Sequence, residues 1–204
     1  YYNPLLNEIV FPAGILVPPL FDVKANDAVN YGSIGPIIGH EISHGFDDQG
    51  AQYDSVGRLN NWWTPADYKT FQGRAQCVAD QFSSYTIDGG MHENGKLVLG
   101  ESIGDLGGLR LAYLALEKSM EGKPRPANVD GFTPEQQFFI AWGQTRGDEI
   151  RPETQRQMAL TDPHPIGKYR VIGPMSNMPD FQKAFACKEG DPMVRPAQQR
   201  CEVW

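Results

Sequence analysis

Four histidines and three cysteines are all that the 204 residues contain, and several other features are missing altogether. No apolar run reaches the roughly 18 residues that a membrane-spanning helix needs, so no transmembrane segment is expected. No Lys/Arg run interrupts a formal net charge of −7, which argues against a nucleic-acid partner. There is no Asn-x-Ser/Thr triplet to accept a glycan, no repeat and no low-complexity stretch. The start, Tyr1-Tyr2-Asn3-Pro4, has neither an initiator Met nor the charged and apolar regions of a signal peptide, so the chain reads as beginning part-way through a longer protein. An odd cysteine count leaves at least one thiol outside any internal pairing.

What the chain does have is enough apolar residue, 40%, for one substantial core, and one short pattern of high chemical content. His40, Glu41 and His44 spell H-E-x-x-H within IIGHEISHGFDD. Histidines four apart on a helix lie about 40° apart around its axis, so both imidazoles leave one face, one turn apart. That arrangement grips a tetrahedral Zn²⁺ from one side and leaves room for a carboxylate and a water. Glu41, about 100° round from His40, stands beside the ion as a base instead of binding it. Ser33 is the expected N-cap of this helix, with Pro36 in its first turn and Gly50 as its stop. Ile37, Ile38, Ile42 and Phe46 are read as its buried flank. Asp47 and Asp48 oppose the helix dipole and are read as a solvated turn.

A two-histidine catalytic zinc needs a third protein ligand. In LVLGESIGDLGGLRLAYLAL, Glu101 and Asp105 share one helical face, while Ile103, Leu106, Leu109, Tyr113 and Leu116 form an apolar stripe. Gly104, Gly107 and Gly108 each cost roughly 1 kcal/mol of helix propensity against Ala, which points to another backbone passing close. Glu101 is the candidate ligand, and Asp105 the group that holds the second nitrogen of a ligand histidine. Elsewhere, EIVFPAGIL reads as an edge strand broken by Pro12 and Gly14. Thr64-Pro65 opens a helix with Tyr68, Phe71, Ala75, Val78 and Phe82 on one face. Thr133, Pro134 and Gln136 form a capping box ahead of Phe138, Phe139 and Trp142. His164, between Pro163 and Pro165, sits in a loop denied helix, and Arg170 in YRVI reads as a strand residue paired with a carboxylate. His92 has no motif around it.

HEISHGFDDQGAQYD followed by GESIGDLGG resembles the neprilysin and endothelin-converting-enzyme family of zinc endopeptidases. Further matches run from VFPAGILVPP and NYGSIGPIIGHE through NNWWTP and DPHPIGKYRVIG to the terminal Cys-x-Val-Trp. The resemblance implies a mainly α fold with a small β-sheet, a thermolysin-like catalytic domain over residues 1–204, and oligopeptide substrates cut before hydrophobic residues. One Zn²⁺ per chain is implied, on His40, His44 and Glu101. Glu41, Asp105 and His164 are implied as catalytic residues, His164 bonding the oxyanion, and Arg170 as a holder of a substrate carbonyl. The pocket for the residue after the cut is expected to draw on Ile15, Leu20, Ile37, Thr145 and Arg146, where Arg146 replaces a usual aromatic. The resemblance also implies a Cys77–Cys201 disulfide, an unpaired Cys187, an extracytoplasmic setting and an N-terminal lid lobe preceding Tyr1. Two alternatives stay open: a non-catalytic zinc-stabilised binding module, and a catalytic core that is inactive without its lid.

Overall fold

In a computed structural model describing residues 1–204, seven helices carry the fold and the sheet is minimal. Two two-residue strands, β1 (Tyr2–Asn3) and β2 (Glu8–Ile9), pair antiparallel with Tyr2 opposite Ile9. The edge strand expected across EIVFPAGIL is therefore only its first two residues. Pro12 removes a ladder donor, and Ala13–Ile15 coil into a short 3₁₀ turn.

Helix α1 (Asp27–Ser43) is antedated by its cap: Asn26, not Ser33, accepts a hydrogen bond from the Val29 N–H. Ser33 lies a turn and a half inside, its hydroxyl donating back to the Val29 carbonyl, and Pro36 sits in the helix interior. The helix ends at His44, well before Gly50. Helix α2 (Pro65–Ser83) opens at Thr64, whose side chain accepts from Asp67 N–H. Helix α4 (Pro134–Thr145) opens on the complete Thr133/Gln136 capping box. Both begin where the sequence places them. Helix α3 (Leu99–Met120) is the centre of the molecule, and α5 (Pro152–Thr161), α6 (Gly167–Ser176) and α7 (Pro179–Ala184) follow. Arg170 lies on α6, so the strand reading of YRVI is wrong. Tyr169, Arg170 and Gly173 form a buried face at helical spacing, which a four-residue apolar run does not reveal.

The glycines of α1 and α3 set how closely these helices cross. A Cβ on Gly39 would stand 2.8 Å from the Gly108 Cα, and one on Gly108 would stand 2.5 Å from the His40 backbone nitrogen. Side chains at that crossing would push the two helices apart and separate His40 from α3. With small residues at the crossing, Ile38 and Ile42, and Phe46 just past the helix end, are exposed, contrary to the expected buried flank, of which Ile37 alone packs against the core. Ile42 and Phe46 line an open groove of about 820 Å³ with Leu111, Leu114 and Trp204. Two apolar clusters form the core. One gathers Phe71, Val78, Phe82 and Ile103, and the other Leu109, Leu116, Phe138, Phe139 and Trp142. The Cys77–Cys201 disulfide ties the C-terminus to α2, and Cys187 is unpaired, as the resemblance implies. No helix is long and apolar enough to cross a membrane.

Candidate metal centre

The end of α1 and the first turns of α3 meet at one point. His40 and His44 present their imidazoles, edge to face with centroids 4.4 Å apart, to the Glu101 carboxylate. His40 Nε2 is 3.3 Å from Glu101 Oε2, and His44 Nε2 is 3.5 Å from Glu101 Oε1. Gly104 makes room for this, since a Cβ there would lie 2.7 Å from His40 Nδ1. One ligand atom from each of the three residues can be chosen so that all lie within 4.8 Å of one another.

Both outer ring nitrogens face carboxylates. His44 Nδ1 lies 2.7 Å from Asp47 Oδ2, whose other oxygen accepts from the Gln49 and Gly50 N–H groups. Asp47 is buried, so the solvated-turn reading of it fails: the turn after α1 folds this carboxylate back under His44. Asp105 Oδ1 stands 2.9 Å from His40 Nδ1, off the axis of the ring nitrogen, in a chiefly electrostatic contact. With each Nδ1 turned to an anion, the Nε2 lone pairs point at Glu101. Lone pairs facing a carboxylate at these distances repel unless a positive charge stands between them. In the metal-free protein a proton does so: burial opposes charging His40, but the Asp105 and Glu101 carboxylates outweigh it and raise its pKa to about 9. Zinc fits the same place. Two donors about 2.0–2.1 Å from a tetrahedral ion stand roughly 3.3–3.4 Å apart, and a nitrogen–nitrogen–oxygen set leaves a fourth position open.

Glu41 is positioned by the same helix. Its side chain is largely buried, and no side chain of the protein pairs with it. His164 reaches in from the loop between α5 and α6, its Nε2 3.2 Å from Glu101 Oε2, while Asp162 Oδ1 holds its Nδ1 at 2.8 Å. Arg170 donates from Nε and Nη2 to the two oxygens of Asp105, at 2.7 and 2.8 Å, and from Nη2 to Glu101 at 3.3 Å. Its Nη1 has no protein partner and is not sealed from solvent. Burial would raise the Asp105 carboxyl, but the Arg170 guanidinium and His40 hold it well below the usual carboxylate range. His40, His44, Glu101, Asp105, His164 and Arg170 therefore lie in one cluster, and Glu41 follows His40 on α1. The sequence reading missed Asp47 and Asp162. Each is close in sequence to its histidine, three residues after His44 and two before His164, and that proximity is the only signal for them.

The sequence profile of peptidase family M13 matches residues 1–201. The chain belongs to peptidase family M13. It is 43% identical over its whole length to an endothelin-converting enzyme homolog of Locusta migratoria, of which it covers 28%. It is 40% identical to human endothelin-converting enzyme 1, of which it covers 26%. Among solved structures, the zinc metalloprotease Zmp1 of Mycobacterium tuberculosis in complex with an inhibitor superposes over the whole chain with a TM-score of 0.96 at 43% identity; the match covers 32% of that protein. This M13 chain thus spans about a quarter to a third of the relatives' lengths, and the thermolysin-like helical architecture is shared with them.

Proposed function

We propose that residues 1–204 are the catalytic domain of a zinc endopeptidase that hydrolyses oligopeptides, cutting before hydrophobic residues, in an extracytoplasmic setting. The observation that carries this is the convergence of two histidines and Glu101 from two helices, with Glu41 next to His40 on α1 and free of any side-chain partner. Zinc bound by His40, His44 and Glu101 would supply a Lewis acid for water and the scissile carbonyl. Glu41 takes the proton of the attacking water and returns it to the leaving amine. His164 donates through Nε2 to the oxygen that gains charge, oriented by Asp162. Arg170 offers Nη1 to a substrate carbonyl while Asp105 fixes the rest of its fork. Asp105 and Asp47 hold the ligand rings in place from behind. A purely structural zinc would ordinarily be closed by four protein ligands, and the donor set here has three.

The test is cleavage of a mixed peptide library by the zinc-loaded protein and by its Glu41→Gln variant. The variant is expected to keep its zinc and lose about 10²-fold or more in rate. Near-parent turnover by a zinc-loaded variant would exclude Glu41 as the base, and no cleavage by the parent would exclude a self-sufficient catalytic core.

A further inference from the structure

We propose that Arg146 is a carboxylate-recognising residue of the peptide cleft, favouring substrates that carry an acidic side chain or a free C-terminal carboxylate close to the hydrophobic residue at the cut. This rests on the peptidase reading above and goes beyond it by naming a substrate class.

Two arginines flank Asp105, and they are unequal. Arg170 is committed to it: Nε and Nη2 take both Asp105 oxygens and only Nη1 is left over. The nearest anion to Arg146 is the same Asp105, but Nη2 lies 3.7 Å from Oδ1, beyond hydrogen-bond reach. That oxygen is already claimed by Arg170 at 2.8 Å and approached by His40 at 2.9 Å. The side-chain nitrogens of Arg146 make no hydrogen bond within the protein, and Nε is sealed from solvent with no partner. Asp148, two residues on, sits instead against Gly167 and makes no ion pair with Arg146.

Leaving a guanidinium partly desolvated and without a hydrogen-bonded partner is costly, and an apolar side chain over Trp142 would avoid that cost. The guanidinium is nevertheless held in place, its Cζ 5.0 Å from the Trp142 ring centroid. Its side chain is 23% exposed, so an anion from solvent can reach it. A planar fork with free N–H groups matches a carboxylate in two-point contact. Asp105 Oδ1 lies between Arg146 Nη2 and the outer nitrogen of His40, which sets this cation one carboxylate away from a histidine of the candidate metal centre, and on this proposal the residues flanking the cut reach it from the solvent side.

The zinc-loaded protein is assayed on peptides matched for size: Glu against Gln and Asp against Asn on each side of the cut, and free against amidated C-termini. The first arm reads an acidic side chain and the second a terminal carboxylate. In one arm kcat/KM is expected to be at least about 10-fold higher for the charged member, in line with hydrogen bonds to charged groups. Arg146→Met, which keeps an unbranched stem against Trp142, should bring that ratio close to one, and Arg146→Lys should retain part of it. Equal ratios in parent and Arg146→Met, or no preference in either arm of the parent, would overturn the proposal while leaving the peptidase reading intact. Binding of the same peptides to zinc-loaded Glu41→Gln, measured by calorimetry with and without Arg146→Met, gives a readout independent of turnover. If the parent cleaves nothing, the reading of a self-sufficient catalytic core fails. Carboxylate-dependent affinity in this arm, lost with Arg146, would still uphold the subsite, and its absence would reject it.

Discussion

His164 and Arg170 approach the same oxygen, Glu101 Oε2, at 3.2 and 3.3 Å, from very different surroundings. The His164 side chain is about half exposed, whereas Arg170 is buried against a fully buried Asp105. Their replacements should therefore fail differently. His164→Ala should lower kcat far more than it raises KM, because its bond forms mainly as charge develops on the substrate oxygen. A rise in KM with kcat unchanged would make it a ground-state contact. Arg170→Ala strips Asp105 of its bidentate partner and should destabilise the fold by about 3–5 kcal/mol, read by denaturant titration. A change below about 1 kcal/mol would mean the pair contributes little to folding. The meeting of His40, His44, Glu101 and Asp105 at one point was legible because helical spacing translates directly into a shared face. Asp47 and Asp162 were not, since whether a short turn folds a carboxylate under an imidazole depends on backbone angles that composition does not specify.

Among the elements, legibility followed the caps. Helices α2 and α4 announce themselves, with Thr-Pro at the start and the apolar stripe directly behind. Helix α1 does not, because Pro36 normally marks a first turn, yet here it is held mid-helix by tight packing on α3 and α4. Helix α6 is hidden by its β-branched YRVI and fixed by tertiary contacts instead. One such contact is Glu93, buried, which accepts the Ile166 N–H at 3.0 Å where α6 begins. Burial raises the Glu93 carboxyl above its usual 4.5, with the Ile166 N–H opposing. A carboxyl raised in the folded state stabilises most below its unfolded pKa, and that contribution is lost as pH rises through the folded value. The Tm of the parent minus that of Glu93→Gln should accordingly fall as pH rises above about 4.5. A difference that grows with pH would show that the ionised form is the favoured one.

At the scale of the molecule, the Cys77–Cys201 link spans 124 positions and pins the chain end, with Val203 in the first core cluster and Trp204 stacked on Phe71. Breaking it through Cys77→Ser with Cys201→Ser should cost about 2–5 kcal/mol in chemical denaturation. A loss below about 0.5 kcal/mol would mean that packing alone holds the terminus. The helical architecture was legible from the resemblance together with periodicity. The groove along Ile42 and Phe46 was not, because only the α1–α3 crossing shows that glycines take the inner face and large side chains the outer. The central claim concerns neither groove nor disulfide but one ion held between two helices. Metal content of the purified protein and of Glu101→Ala at neutral pH tests it most directly. One zinc per chain in the parent and loss of most of it in the variant is the result expected. Full zinc occupancy in Glu101→Ala would show that the ion, and with it the chemistry, is not where α1 and α3 meet.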